Sequence, residues 1–153
     1  MLAILLCACA TSSTPSAPSP LTVGCRSGAP EAGVHNPDRL LVLDPCKQAT
    51  GTVVDVARED DGDYHIWFKP DAGYESLLNS ENHFQARPAM LAEIVPACPL
   101  DSNPSNAPAA ARCPKTKLAI PVIGNHISVW GPWVLDTDHG WREIHPVDSI
   151  QIG

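Results

Sequence analysis

The sequence has little positive charge, and this limits what the protein can bind. Ten Lys and Arg stand against seventeen Asp and Glu, which gives a formal net charge of -7. Binding to nucleic acid or to an anionic membrane is disfavoured, because long-range attraction to phosphate needs excess positive charge. The less favoured alternative is a local basic groove, which would use Arg87, Arg112, Lys115 and Lys117.

Enzyme signatures and long unbroken stretches are also missing. No serine lies in a GxSxG context and no glycine-rich phosphate loop occurs, which argues against serine hydrolases and nucleotide-driven enzymes. Sixteen prolines and ten glycines interrupt the chain, so that short strands fit between the breaks and long helices do not. A chain of 153 residues has room for one core. We therefore expect one mainly β domain over residues 25–153, present as a monomer.

The N-terminal apolar run, residues 2–10, is shorter than the roughly 20 residues that a membrane span needs. It contains Leu6-Cys7-Ala8-Cys9, which resembles the lipobox of bacterial lipoproteins. The resemblance implies a signal peptide at residues 1–9, lipidation of Cys9, and membrane contact through that lipid alone. The alternative is a plain secretory signal cut near Ala8 or Ala10. In both cases we expect the protein outside the cytoplasm, in the bacterial cell envelope or secreted.

A tether rich in Ser, Thr and Pro is predicted at residues 10–24, because this composition does not bury a core. Four cysteines follow it, and an even number predicts two disulfides in an oxidising compartment. We favour a pair between Cys98 and Cys113, since the span between them is rich in Pro, Asn, Ser and Ala and has little else to hold it. Elimination then pairs Cys25 with Cys46. A four-cysteine zinc site is less favoured, because no CxxC pair occurs.

Alternation of apolar and polar residues predicts five or six short strands. Residues 47–58 and 64–69 form a hairpin around the acidic Asp-Gly turn at 59–63, with Ile66 and Phe68 facing the core. A helical turn is predicted at 75–79, and further strands at 88–95, at 126–130, at 133–135 after a bend at Gly131-Pro132, and at 141–145 after a turn at 136–140. This order is typical of a small Greek-key barrel of the OB type, and a β-sandwich is the alternative.

Three motifs stand in order between residues 50 and 150, namely TGTV, DGDYHIWFKP and GPWVLDTDHGWREIHPV. They are similar to a group of uncharacterised exported bacterial proteins that is thought to adopt an OB-like barrel. The resemblance implies a fold and no particular activity, because function does not follow from fold.

The densest polar cluster supplies candidate metal ligands. Glu143 and His145 are expected side by side on one face of their strand, and His65 lies on the polar side of an earlier strand. The candidate ligands are His65, Asp138, His139, Glu143 and His145. They would hold a divalent metal ion that activates water. The favoured alternative is a hairpin turn held by the side chains of Asp136 and Asp138, with His139 and His145 bonded to backbone groups, because no HExxH motif is present.

Tryptophan is abundant for so small a domain and suggests a ligand surface. The candidate ligand-binding residues are Trp67, Lys69 and Trp141. They would lie on the outer sheet face, where OB domains stack flat ligands. The favoured alternative buries Trp67 beneath the N-terminal segment that Cys25 and Cys46 hold.

These patterns together predict an OB-like binding module without catalytic activity, held at the cell envelope. Its partner would be a small molecule, a glycan or a protein. The first alternative is a metal-dependent hydrolase that resembles nucleases and phosphodiesterases, with the metal as its cofactor. The second alternative is a structural envelope lipoprotein.

Overall fold

The structure, a computed structural model, describes residues 24–95 and 117–153. Within these two ranges the backbone forms eight strands and two short 3₁₀ helices, and it forms no α-helix there. The strands are β1 (Leu40–Arg58), β2 (Tyr64–Pro70), β3 (His83–Phe84), β4 (Arg87–Pro88), β5 (Met90–Ile94), β6 (His126–Asp136), β7 (Arg142–Ile144) and β8 (Ser149–Ile152). The 3₁₀ helices are η1 (Pro37–Arg39) and η2 (Glu75–Leu77). None of the helices in these ranges has the length and apolarity that crossing a membrane requires. The prediction of a mainly β domain with short helical turns is confirmed.

Six strands form one sheet in the order β1-β2-β5-β7-β6-β8, and β6 also pairs with β1. The pairings therefore lead from β1 through four other strands and back to β1. The β5–β7 pair is parallel, whereas all other pairs in the sheet are antiparallel. Strands β3 and β4 form a separate two-stranded hairpin, which the sequence patterns did not predict because two-residue strands show no alternation.

The long strand β1, which pairs with two neighbours, has a ladder that is irregular at three places. Its register shifts between Val53 and Asp55 against β2, and on both sides of Asp44 against β6. Bulges of this kind bend a strand and increase its twist. They also explain why β1 begins at Leu40 rather than at residue 47, since Pro45 lies inside an irregularity where no regular ladder bond is needed.

The predicted bend at Gly131-Pro132 is wrong, because residues 126–136 form one continuous strand, β6. Pro132 lies opposite the irregular part of β1, so its missing N–H group removes no ladder hydrogen bond. The backbone of Pro146 lies so close to Gly131 that any Cβ there would collide with it. These two residues therefore allow a close backbone approach instead of ending the strand.

The core lies on one face of the sheet. In the described ranges it comprises Ala49, Val53, Ile66, Phe68, Leu77, Met90, Ala92, Ile94, Ile127, Val129, Ile144 and Val147. Both Ile66 and Phe68 are fully buried in it, as the alternation in β2 predicted. The residues that alternate with the core residues along β2, β5 and β7 point to the opposite face of the sheet, where the candidate site lies.

The predicted disulfide between Cys25 and Cys46 is present and joins the N-terminal segment to β1, with 5.6 Å between the two Cα atoms. The segment is also held by Arg26, whose guanidinium forms an ion pair with Asp148. The predicted pair of Cys98 and Cys113 lies outside the described residues, as do the signal peptide at 1–9, Cys9 and residues 10–23 of the tether.

Candidate functional site

A row of titratable side chains crosses β2, β5 and β7 on the face opposite the core. His65 of β2 pairs with Glu93 of β5, and Leu91 of β5 pairs in parallel with Glu143 of β7. Because side chains alternate along a strand, Glu143 and His145 project to the same face as Glu93. The strand register thus brings together groups from three separate parts of the chain.

His145 is the centre of this row. Its Nδ1 atom lies 2.9 Å from Oε1 of Glu143 and 3.0 Å from Oε2 of Glu93. The other oxygen of Glu93 lies 3.1 Å from Nε2 of His65. His145 and Glu143 are fully buried and the side chain of Glu93 is 2% exposed, whereas that of His65 is 24% exposed. An ionised carboxylate only accepts hydrogen bonds, so Nδ1 of His145 carries the proton that it shares.

The pKa values in this cluster follow from burial and from opposite charges. Burial alone would lower the pKa of His145, but the Glu93 charge and the hydrogen bonds to Glu143 and Glu93 raise it to about 10. Burial alone would raise the pKa of Glu93. The charge and the hydrogen bond of His145 have a larger, opposite effect, so that the pKa of Glu93 is lowered. Burial, followed by the charge of Glu93, raises the pKa of Glu143. At neutral pH the cluster therefore contains a Glu93 carboxylate and a His145 imidazolium.

Asp63 joins the cluster from the end of the turn between β1 and β2. Its side chain is buried, and one ligand atom each from Asp63, Glu93 and His145 lies within 4.8 Å of the others. Within the described part of the chain, neither Oδ1 of Asp63 nor Nε2 of His145 has a hydrogen-bond partner. Burial, followed by the nearby charge of Asp61, raises the pKa of Asp63 to about 7.

The turn between β6 and β7 is organised by Asp136. Its Oδ1 atom accepts the backbone N–H of Asp138 at 2.8 Å and that of His139 at 3.3 Å, while its Oδ2 atom lies 2.8 Å from Nδ1 of His139. Asp136 is fully buried and also forms an ion pair with Arg39, which in turn approaches Glu93 at 4.0 Å. The hairpin expected at residues 136–140 is therefore present and is held by the side chain of Asp136, whereas the imidazoles of His139 and His145 are both bonded to carboxylates rather than to backbone groups.

The five candidate metal ligands are consequently divided between two places. His65, Glu143 and His145 gather around Glu93, whereas Asp138 and His139 belong to the turn. Sequence patterns missed Glu93, Asp63 and Arg39 as members of the site. One signal was available for Glu93, since it is a charged residue within the apolar strand β5, and a charge in a buried strand requires a partner.

The aromatic residues of the same face are packed against one another. Trp67 is 8% exposed, and its ring stacks on Phe84 of β3 with 5.6 Å between centroids. The rings of Trp141 and Trp67 are nearly perpendicular, with 5.4 Å between centroids, and Trp141 also stacks on His139 and donates its indole N–H to Glu143 at 2.9 Å. Trp67 is thus buried, as the favoured alternative expected, but the ring that stacks on it belongs to the small hairpin rather than to the N-terminal segment.

A cleft of about 900 Å³ opens between the end of β2, η2 and the β3–β4 hairpin. Its lining includes Lys69, Pro70, Leu78, His83, Arg87 and Pro88. Lys69 and Arg87 are exposed, and neither forms an ion pair with any residue in the described ranges. Both residues also line a second cleft of about 250 Å³, together with Phe84 and Gln85 of the hairpin.

The β3–β4 hairpin has a strained tip. Phe84 pairs with Arg87, and the two residues between them, Gln85 and Ala86, have φ values of 50° and 62°. A two-residue loop with both φ values positive normally contains Asn and Gly, because other side chains resist the left-handed region. Strain of this kind persists where the surrounding structure enforces it, which occurs most often at binding and catalytic sites.

No family model matches this chain, and it matches no curated protein and no solved structure. The resemblance to exported bacterial proteins with an OB-like barrel accordingly stays a prediction.

Proposed function

We propose that this chain is an exported binding module on a small OB-like barrel, without catalytic activity, and that the cleft beside the β3–β4 hairpin takes a small anionic ligand. The observation that carries the proposal is the pair of exposed cations, Lys69 and Arg87, on a cleft of about 900 Å³. A pocket of a few hundred to about 1,000 Å³ accommodates a small organic molecule.

The strand pairings support the OB-like assignment. In a closed five-stranded Greek-key barrel, the first strand pairs with the second strand and also with the strand that closes the barrel. Here β1 pairs with β2 and β6, and the parallel contact of β5 with β7 lies on the opposite side of the circuit. In OB folds the second and third strands and the loops beside them bind ligands, and Lys69 lies on β2.

The disulfide between Cys25 and Cys46 supports export, because disulfides persist in oxidising compartments. It agrees with the signal peptide that the N-terminal residues predict. Lipidation of Cys9 would then keep the domain at a membrane surface, and the predicted tether would separate the two.

The electrostatics of the cleft favour an anion even though the whole chain carries a net charge of -7. Glu75 also lines the cleft, but its Oε2 atom already accepts the backbone N–H of Gly73 at 2.7 Å. The two cations are therefore the polar groups best placed to meet a ligand, and Arg87 offers the forked geometry that carboxylates and phosphates prefer. Leu78, Pro70 and Pro88 supply an apolar wall for a ring. A carboxylated or phosphorylated sugar combines both features.

The test is a titration of the isotope-labelled full chain with sugar acids and sugar phosphates, observed by nuclear magnetic resonance at low salt. We expect shifts at the amides of Lys69 and Arg87 and their loss in the double variant Lys69→Gln, Arg87→Gln. Lys47→Gln is the matched control, because Lys47 is paired with Asp44 elsewhere on the surface. Shifts that persist in the double variant, or a complete absence of shifts at millimolar ligand, would refute the proposal.

A further inference from the structure

We propose that Asp63, Glu93 and His145 form a buried site for a divalent transition-metal ion. One ligand atom from each residue lies within 4.8 Å of the other two, and all three side chains are at most 2% exposed. The site differs from the cluster that the sequence predicted, with which it shares only His145. It is also independent of the cleft and its cations.

The first independent observation concerns two unsatisfied atoms. Oδ1 of Asp63 and Nε2 of His145 are buried and have no hydrogen-bond partner among the residues that the structure describes. Buried polar atoms almost always have partners, and each exception calls for a specific explanation. Both atoms here belong to residues of the same trio, and both are types that coordinate metal ions. A metal ion bound through these two atoms would satisfy both of them.

The second observation is the orientation of His145. Its Nδ1 atom is held by Glu143 at 2.9 Å and by Glu93 at 3.0 Å, which keeps one proton on Nδ1, so that a metal ion would bind Nε2 in place of the second proton of the imidazolium. Histidine ligands of metal ions are oriented in this way, by a carboxylate on the other ring nitrogen. Glu143 and His65 therefore act as positioning residues, the first for His145 and the second for Glu93.

The donor set indicates the class of ion. One imidazole nitrogen and two carboxylates suit zinc or another first-row transition ion, whereas calcium and magnesium prefer oxygen ligands alone. Zinc bonds of about 2.0–2.2 Å place neighbouring ligand atoms about 3.4 Å apart, so binding would draw the three side chains closer. An ion in this position would tie the end of the β1–β2 turn to β5 and β7. The expected role is structural.

The experiment uses the full chain after removal of metal with a chelator. Zn²⁺ is added and binding is measured by calorimetry and by the thermal unfolding midpoint, with Mg²⁺ and Ca²⁺ as comparison ions. We expect one zinc ion per chain and a rise in the midpoint of at least about 5 °C at saturation. The comparison ions should produce no such rise.

Two ligand variants and one control locate the site. Asp63→Asn and His145→Gln should each weaken zinc binding by at least about 100-fold, and His139→Gln should leave it unchanged because His139 bonds Asp136 instead. Asp63→Asn keeps the shape of the side chain and decides the matter if His145→Gln fails to fold. Glu143→Gln should weaken binding about 10- to 100-fold without abolishing it, as expected for a positioning residue. The absence of zinc binding below about 10 µM, or equal binding by Asp63→Asn and the unmodified chain, would overturn the proposal.

Discussion

Nδ1 of His145 lies 3.0 Å from Oε2 of Glu93, although the two residues belong to distant parts of the chain. The parallel pairing of β5 with β7 produces this contact, and the burial of both side chains makes it an ion pair without access to water. An ion pair that is buried in this way is costly to break, because the partner left behind keeps its charge in a medium of low dielectric constant.

Glu93→Gln should therefore lower the free energy of unfolding by about 3–5 kcal/mol, since it removes the counter-charge of the buried His145. Urea denaturation of the metal-free protein measures the change. Glu59→Gln is the control, because Glu59 is exposed and lies 3.7 Å from the other histidine, His65. A similar loss in both variants would show that the buried pair has no special role.

The stability of the metal-free protein should fall between about pH 6.5 and pH 10. The pKa of His145 rises in the folded state from its usual 6.5 to about 10, so the folded chain holds a proton that the unfolded chain releases. The stabilisation is complete below pH 6.5 and is lost as the pH rises through 10. Unfolding free energies measured across this range with a chelator present would check this, and a flat profile would contradict it.

Asp63→Asn should change how the folding stability depends on pH in the interval from pH 3.8 to about 7. The pKa of Asp63 is raised from 3.8 to about 7, so its ionisation destabilises the fold as the pH rises through this interval. The variant cannot ionise, and with a chelator present its stability above about pH 8 should exceed that of the metal-free unmodified protein by roughly 1–3 kcal/mol. At about pH 4 the two proteins should be nearly equal. A variant that is less stable at every pH would contradict the prediction.

Ala86→Gly should stabilise the protein by about 0.5–1 kcal/mol, because it relieves a left-handed backbone conformation that Ala resists. The measurement is the thermal midpoint. Ala57→Gly, in the regular part of β1, should act in the opposite direction by a similar amount. Equal destabilisation by both substitutions would mean that the hairpin tip is not strained.

Replacing Cys25 and Cys46 together with Ser should cost about 3 kcal/mol, because the cross-link restricts a loop of moderate length in the unfolded chain. The sequence separation of the two cysteines is 21. Chemical denaturation of the double variant measures the loss. Retention of full stability would indicate that the ion pair of Arg26 with Asp148 suffices to hold the N-terminal segment.

Much of the fold could be predicted because local patterns encode it. Alternation in β2 assigned Ile66 and Phe68 to the core, and the Asp-Gly turn joined β1 to β2. Elimination among the cysteines identified the pair of Cys25 and Cys46. The same kind of alternation predicted that Glu143 and His145 lie side by side. In the structure, Oε1 of Glu143 lies 2.9 Å from Nδ1 of His145.

The tertiary structure decided the rest, because the remaining features depend on which strands become neighbours. Glu93 and Asp63 carry no local sign that they will meet His145, and only the parallel contact of β5 with β7 and the position of the β1–β2 turn bring them together. Gly131 and Pro132 normally indicate a break, yet the irregular ladder of β1 accommodates them within one strand. Sequence patterns report what each residue prefers in its own segment, whereas pKa values, unsatisfied atoms and metal geometry arise from residues that become close only in the folded chain.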